Sequence, residues 1–255
     1  MSSRSTKPDT QARFEAHLDY LKLPYIREHY PKAVQQAAEK ESDHLDCLMK
    51  LIEAEAQLRH DRSIERRLRI ARFPVRKTLD QFDWTWPKKI NRLQVQNLFR
   101  LQFIEQCANV IFVGGVGLGK THLATALGVA ACQQSYSVLF TSAIDVVNTL
   151  TASQAAGRLK ADLGKYLRPK VLLLDELGYL PIDKAGADLL FQIISQRYER
   201  NSTIITTNRV FKKWAEIFNN DSTLTSAVLD RLLHHAETIT IEGRSFRMKD
   251  KIESV

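Results

Sequence analysis

The stretch VIFVGGVGLGKTHLA, residues 110–124, constrains the fold of this chain more than any other feature. Four apolar residues lead into a loop in which four of six positions are glycine, and Lys120 and Thr121 directly follow the last glycine. The loop matches G-x-x-x-x-G-K-[ST], the P-loop, which requires a strand before it and a helix after it. Its backbone N–H groups turn inward, and the following helix adds the positive end of its dipole. The sequence therefore predicts a site that binds a nucleoside triphosphate.

The lysine and the threonine at the end of this loop have separate tasks. The ammonium group of Lys120 neutralises the β and γ phosphates, and the hydroxyl of Thr121 holds Mg²⁺. We therefore predict ATP and Mg²⁺ as the cofactors. The residues expected to contact the nucleotide are Gly114, Gly115, Val116, Gly117, Leu118, Gly119, Lys120, Thr121 and His122.

Five short apolar runs follow one another between residues 109 and 243, separated by segments with helical patterns. The runs are NVIFVG, SVLFTS, KVLLLDE, STIITTN and ETITIEG. Most are nearly continuous in apolar or β-branched residues, as expected of parallel strands that are buried on both faces. Strands that alternate with helices form an α/β sheet with crossover connections. We predict a P-loop NTPase fold with a five-stranded parallel sheet and flanking helices, preceded by a small all-helical domain.

Polar side chains stand at the ends of the third and fourth runs, where ligands of open α/β sheets bind. Asp175 and Glu176 end the third run, and Asn208 follows the fourth. We predict that Asp175 joins Thr121 at the Mg²⁺ and that Glu176 polarises a water for in-line attack on the γ phosphate. Asn208, or with less support Thr207, is predicted to position that water.

The first part of the chain, from about His17 to Phe73, has helical patterns. Ser42 is a candidate cap for a long third helix. The later apolar residues of this helix lie on another face than the early ones, so we expect either a break near residues 61–63 or a change of packing partner. The early apolar face comprises Leu45, Leu48, Met49, Ile52 and Ala56.

A run of basic residues lies in the second half of this third helix. Four of its arginines fall within about 80° of arc on a helix. Such a run is usually a solvated face, but acidic residues are nearly absent from it and arginine is an effective phosphate ligand. We predict that duplex DNA, largely without sequence preference, contacts this run. Its residues are Arg59, Arg62, Arg66, Arg67, Arg69 and Arg72.

The segment LDQFDWTWPKKINRLQVQNL, residues 79–98, is typical of a linker or a covering strap. Two tryptophans beside Pro87 more often fix a linker to a domain surface than stack on bases. We therefore divide the chain into a helical DNA-binding and assembly domain at 1–77, a linker and strap at 78–107, and an ATPase domain at 108–255.

Composition narrows the classes of partner. The net charge is +8 and the isoelectric point about 9.4, which favours nucleic acid over an anionic membrane surface as a partner.

No apolar run approaches the roughly 18 to 20 residues of a membrane span, and the N-terminus lacks a signal-peptide pattern, so we expect a cytoplasmic protein. Three cysteines without C-x-x-C spacing argue against a disulfide framework or a zinc site. Adjacent residues diverge by about 100° on a helix, so His234 and His235 are not expected to share a metal.

The order of these motifs, followed by LDRLLHHAETITIEGRSFRMK at residues 229–249, resembles that of the IstB-like AAA+ ATPases, the transposition helper proteins of insertion sequences. It is more distantly similar to the DnaC-type helicase loaders. The P-loop is shared by the whole superfamily, whereas the LDRL-HH and G-x-S-F-R patterns narrow the resemblance to the IstB-like family. The similarity extends over nearly the whole chain.

This resemblance implies an AAA+ protein that assembles with ATP into a homo-oligomer, binds duplex DNA, hydrolyses ATP and recruits a transposase. In the family pattern Arg231 matches the arginine finger, which reaches the γ phosphate of a neighbouring subunit. Arg247 matches the second sensor arginine, with Arg244 a close alternative. The family often has two aspartates where this chain has Asp175 and Glu176.

Three other functions stay open at this point. A helicase loader of the same fold would act on single-stranded DNA and a replicative helicase. A small-molecule kinase would need an arginine-rich lid and an acceptor pocket, and neither is evident in the sequence. A binding module would retain nucleotide affinity without turnover.

Overall fold

The structure is a computed structural model that describes residues 7–40 and 43–246. This part of the chain contains ten α-helices and five strands, with five helices before the first strand, and a 3-10 helix, Phe211–Glu216, precedes the last α-helix. The elements are α1 Lys7–Tyr20, α2 Pro24–Glu39, α3 His44–Ala71, α4 Arg92–Leu98, α5 Gln102–Glu105, β1 Asn109–Gly114, α6 Lys120–Gln133, β2 Val138–Ser142, α7 Ala143–Ala155, α8 Leu159–Leu167, β3 Val171–Leu177, α9 Lys184–Arg197, β4 Ser202–Thr207, α10 Ser222–Leu233 and β5 Ala236–Ile241.

All five strands belong to one parallel sheet with the order β2-β3-β4-β1-β5. Each predicted apolar run is confirmed as a strand, and the predicted fold class is confirmed with them. The central strands β1, β3 and β4 are buried on both faces, which explains their nearly continuous apolar sequences. Because all strands run in one direction, the carboxyl ends of these three neighbours meet at one edge of the sheet.

The pairing of β3 with β4 is irregular at this edge. Leu174 pairs with Ile205, but the next pair joins Leu177 to Thr207, so β3 carries a bulge over Asp175 and Glu176. Glu176 has a φ of 58°, in the left-handed region that non-glycine residues rarely adopt. Bulges of this kind redirect side chains beside functional sites.

A buried arginine ties together the opposite, amino-terminal edge of β3 and β4. The guanidinium of Arg197 donates hydrogen bonds to the carbonyl oxygens of Tyr166 and Pro169, both at 2.9 Å, and of Ser202 at 2.5 Å. Burial lowers the pKa of Arg197 to about 9. These bonds satisfy loop carbonyls that would otherwise be buried without partners.

The backbone contacts divide the chain into two units, residues 1–65 and 66–255, with the boundary inside α3. In the first unit Leu18, Ile26 and Leu51 form a small apolar cluster. Glu55 is 3% exposed, and its carboxylate accepts hydrogen bonds from the first backbone N–H groups of α2, where the helix dipole favours a negative charge.

The predicted early apolar face of α3 is wrong. Its four large side chains are exposed by 45% to 62%, whereas Leu51 and Glu55 face the cluster of the first unit. Glu55 occupies a buried position on α3 where a periodic apolar pattern would require an apolar residue. The pattern of apolar residues therefore predicted the wrong buried face. The exposed residues are Leu45, Leu48, Met49 and Ile52.

The predicted break in the third helix is also wrong, because α3 is continuous over 28 residues. The shift of its apolar positions reflects the alternative, a change of packing partner. Leu51 belongs to the core of the first unit, whereas Leu68 and Ala71 are buried within the second. The predicted cap Ser42 lies outside the described residues.

Candidate nucleotide-binding site

The P-loop lies between β1 and α6, as its motif requires. Gly119 caps α6 with a φ of 85°, and a Cβ added there would lie 2.6 Å from the ring of Phe82. Gly117 also has a positive φ, of 74°, and its open side is filled by Ser245. Both positions therefore need glycine for backbone conformation and for space.

The phosphate- and metal-binding groups of the loop are carried by Lys120 and Thr121, the first two residues of α6. The ammonium group of Lys120 donates a hydrogen bond to the carbonyl of Gly115, 2.7 Å away, and so lies over the loop. The hydroxyl of Thr121 donates to Asp175 Oδ1 at 2.9 Å. The predicted magnesium ligands from the P-loop and from β3 are thus direct neighbours.

Thr206 on β4 organises the two acidic residues of β3, and sequence reasoning missed it. Its hydroxyl donates to Asp175 Oδ1 at 2.5 Å and accepts from the backbone N–H of Glu176 at 2.9 Å. Asp175 is buried, with 7% of its surface exposed, whereas the side chain of Glu176 is exposed. The hydroxyl of Thr206 thereby fixes the buried carboxylate of Asp175 and supports the bulge from which Glu176 projects.

Burial and hydrogen bonding distinguish the candidates at the end of β4. Thr207 and Asn208 both line the cavity, but the side chain of Thr207 is buried. Asn208 is exposed and lines the cavity beside Glu176. The hydroxyl of Thr207 instead accepts a hydrogen bond from the backbone N–H of Arg209 at 3.1 Å. This arrangement favours Asn208 over Thr207 as the residue that positions water.

A cavity of about 560 Å³ opens over the P-loop, and its lining includes Lys120, Thr121, Glu176 and Asn208. The strap, which we define as residues 78–91, adds aromatic side chains to this lining. Phe82 and Pro87 of the strap are buried. The cavity is large enough for a nucleotide.

His122, which the sequence placed among the nucleotide contacts, holds the strap to α6. Its Nε2 lies 2.9 Å from the carbonyl oxygen of Thr78, and its ring meets that of Phe82 edge to face at 5.5 Å. Burial, the larger effect, lowers the pKa of His122, and the hydrogen bond to Thr78 opposes this. The neutral ring is therefore the favoured form, and its N–H donates to the strap.

The C-terminal segment, residues 242–246, joins the strap to the P-loop. The indole N–H of Trp86 donates to the carbonyl of Arg244 at 2.9 Å, and its ring contacts that of Phe246 at 5.6 Å. The backbone N–H of Phe246 donates to the carbonyl of Gly117 at 2.8 Å. The tryptophan fixes the strap to the domain surface, as the sequence indicated.

Of the predicted arginines in the C-terminal part of the chain, the two that the structure describes do not line this cavity. Arg231 lies on α10, where its guanidinium stacks over the ring of Phe191 at 5.0 Å and donates to the carbonyl of Ala227. Arg244 is exposed and contributes only its carbonyl to the bond with the strap. Arg247 lies outside the described residues.

The predicted DNA-binding arginines differ in their surroundings. The guanidinium of Arg59 donates to two carbonyls within the first unit, at 2.9 and 2.6 Å, and lies 3.5 Å from Glu55. Arg67 is half-buried, and Arg62 is exposed. Three further arginines, Arg66, Arg69 and Arg72, are exposed in the second unit.

Oxygen ligands suit Mg²⁺ at this site. The hydroxyl of Thr121 and the carboxylate of Asp175 present adjacent hard donors, the kind that Mg²⁺ selects in the presence of phosphate oxygens. Thr121 and Asp175 would hold the ion, and Glu176 would remain free beside it. The donor set therefore fits the predicted metal.

The fold and the site together define the class of this protein, a P-loop protein of the AAA+ type. The profile of the IstB-like ATP binding protein family matches residues 16–254, and the chain belongs to that family. It is 41% identical over 234 residues to the putative ATP-binding protein of insertion sequence IS232 from Bacillus thuringiensis subsp. berliner, covering 92% of this chain and 93% of that protein. It is 42% identical to the counterpart of IS21 from Pseudomonas aeruginosa, covering 93% and 89%.

Solved structures show the same fold at lower identity. The DnaC helicase loader superposes with a TM-score of 0.53 at 24% identity, over 65% of this chain and 96% of that chain. AMPPCP-bound DnaA from Aquifex aeolicus superposes with a TM-score of 0.55 at 24% identity, over 71% and 56%. Among the described residues, no helix combines the length and apolar character that a membrane crossing requires.

Proposed function

We propose that this chain binds Mg²⁺-ATP at the P-loop, hydrolyses it, and acts on duplex DNA as a regulator of transposition. The observation that carries the proposal is the contact of Thr121 and Thr206 with one carboxylate oxygen of Asp175, beside an exposed Glu176. It supports Asp175 as a metal ligand and Glu176 as the general base, beside a cavity large enough for a nucleotide. The insertion-sequence names of the relatives support the biological context.

Each residue of the site has one task in the proposed reaction. Lys120 and the P-loop amides bind the phosphates, and Asn208 orients a water in line with the γ phosphate. The carboxylate of Glu176 accepts the proton of that water as it attacks. Mg²⁺, when bound, would neutralise charge on the β and γ phosphates. The bulge of β3 aims Glu176 at the cavity while Asp175 stays buried.

The DNA surface in this proposal is centred on the end of α3. Residues 66–77 carry six basic side chains and no acidic one. Phosphate contacts by such residues bind without reading base sequence, which suits a protein that accepts many target sites. Arg59 is engaged by carbonyls of the first unit, and we therefore assign the larger share of binding to Arg66, Arg69 and Arg72.

Assembly into a homo-oligomer and recruitment of the cognate transposase complete the proposal. Arg231 lies on α10 with its guanidinium half-buried against Phe191 rather than at this chain's own cavity. We assign Arg231 to the nucleotide of a neighbouring copy, as the resemblance to the family implies, and this would make hydrolysis depend on assembly. Arginine fingers contribute about 10³ to 10⁵ in rate.

Phosphate release from Glu176→Gln tests the proposed hydrolysis. We expect this variant to bind Mg²⁺-ATP and duplex DNA like the wild type, while its turnover falls by about 10²- to 10⁴-fold, the usual contribution of a general base. Arg231→Ala serves as the second arm, with intact nucleotide affinity and slow turnover. Wild-type turnover in Glu176→Gln would contradict the assigned base, and no turnover in the wild type, with or without DNA, would leave a binding module instead.

A further inference from the structure

Three exposed side chains converge at the ends of α9 and α10, on surfaces that the nucleotide site does not use. Glu199, His234 and His235 each offer one potential ligand atom, and these atoms all lie within 4.8 Å of one another. The two imidazole rings have centroids 4.1 Å apart, and His234 Nδ1 lies 3.9 Å from a carboxylate oxygen of Glu199. Two imidazoles and a carboxylate form a ligand set typical of transition metals.

The local backbone explains why the sequence argued against a metal here. Adjacent residues diverge by about 100° only while the chain stays helical. The last residue of α10 is Leu233, His234 is its C-cap, and β5 begins at Ala236, so the chain leaves the helix at the histidine pair. Glu199 lies just beyond the end of α9 with a φ of 56°, where the chain turns back.

Tyr198 contacts one histidine of this cluster. The hydroxyl of Tyr198 lies 2.7 Å from His234 Nδ1, and the two rings are 5.9 Å apart. This nitrogen also faces Glu199, so a metal bound through it would replace the contact with Tyr198.

We propose that Glu199, His234 and His235 bind a zinc ion. Zinc takes nitrogen ligands at about 2.0 to 2.1 Å in a tetrahedral shell, and three protein ligands leave one position for water. The three side chains are exposed, and rotation about their side-chain bonds can bring the ligand atoms closer together than 4.8 Å.

A metal at this position connects the ends of two helices. Glu199 follows α9, and the histidines end α10, the helix that also carries Arg231 one turn earlier. Binding therefore restrains the final turn of α10 and, with it, the backbone from which Arg231 projects. The site is independent of the P-loop, so zinc binding requires no nucleotide.

Calorimetric titration of the untagged, metal-free full chain with zinc chloride tests the proposal. We expect one zinc ion per chain, and at least about tenfold weaker binding in His234→Ala, in His235→Ala and in Glu199→Gln. His60→Ala is the matched control, because it removes another exposed histidine, and it should bind zinc like the wild type. Hydrogen exchange in residues 228–235 should slow when zinc is added.

Cobalt substitution adds a readout that scattered surface binding does not give. Co²⁺ in a tetrahedral nitrogen and oxygen shell absorbs strongly in the visible range, and the wild type should show this spectrum while His235→Ala should not. Unchanged circular dichroism of the variants shows that they fold. Zinc affinity that is equal in the wild type and all three ligand variants would overturn the proposal, as would the lack of any binding.

Discussion

At the residue scale, the site depends on how one buried carboxylate is held. Asp175 receives hydrogen bonds from Thr121 and Thr206 on the same oxygen, and Thr206 also accepts from the backbone of Glu176. A hydroxyl that serves two acidic residues couples the metal ligand to the position of the general base. We therefore regard Thr206 as a positioning residue for both.

Thr206→Val tests this coupling with little change in shape. Valine leaves the N–H of Glu176 without its partner and removes one donor to Asp175, so the free energy of unfolding should fall by about 1–3 kcal/mol. Urea denaturation measures it, and the Mg²⁺ dependence of nucleotide affinity should change as well. Thr240→Val, at an exposed position of β5, is the control. Equal stability of both variants would contradict the role of Thr206.

Sequence alone identifies the site residues that belong to a short contiguous motif or to the end of a predicted strand. The P-loop residues Lys120 and Thr121, and the acidic pair after β3, are read from a motif and a strand end. Thr206 could not be recognised, because its partners are 31 and 30 residues away and only the pairing of β3 with β4 brings them together.

At the element scale, the strap is attached to the rest of the site by two aromatic side chains, those of His122 and Trp86. His122 binds it to α6 through the carbonyl of Thr78, and Trp86 binds it to the C-terminal segment. Because residues of the strap line part of the cavity, the position of the strap and the shape of the site depend on these bonds. Tertiary contact of residues 158 positions apart is not visible in a sequence pattern.

The His122 bond predicts a pH dependence of stability. Because the pKa of His122 is lowered in the folded state, the unfolded chain binds the proton more readily as the pH falls below about 6.5, and folding becomes less stable there. His122→Gln, which lacks a titrating ring, should lose part of this dependence. Urea midpoints at pH 7.5 and 5.5 measure it. An identical decrease in the wild type and the variant would contradict the assignment.

The helix α3 shows the limit of periodicity at this scale. Its helical character was predicted correctly, but its buried face was not, because Glu55 occupies a core position. The continuity of α3 across two units likewise depends on packing partners that lie far apart in the chain.

At the scale of the whole molecule, charge is distributed unevenly. The excess of basic residues is concentrated beyond residue 65, and the first unit carries more acidic than basic side chains. A DNA surface on the end of α3 agrees with this distribution, and the boundaries of a DNA-binding domain at 1–77 stay a prediction.

Replacement of Arg66, Arg69 and Arg72 by glutamine tests the DNA surface. Each lost phosphate contact should reduce the slope of log affinity against log salt by about 0.9, so the triple variant should bind duplex DNA more weakly and with a flatter salt dependence. Fluorescence anisotropy at several salt concentrations measures it. Glutamine at Lys184, Lys212 and Lys213 removes the same charge from other exposed positions. Equal slopes in the two triple variants would place the DNA elsewhere.

Calorimetric titration of the wild type and of Lys120→Ala with Mg²⁺-ATP is the most direct test of the account as a whole. The wild type should bind one nucleotide per chain, and loss of the ammonium group should weaken binding by at least about tenfold, since a charge-assisted hydrogen bond contributes about 1.5–3 kcal/mol. A folded wild type that releases no heat with Mg²⁺-ATP, or a Lys120→Ala variant with undiminished affinity, would contradict the assignment of the site.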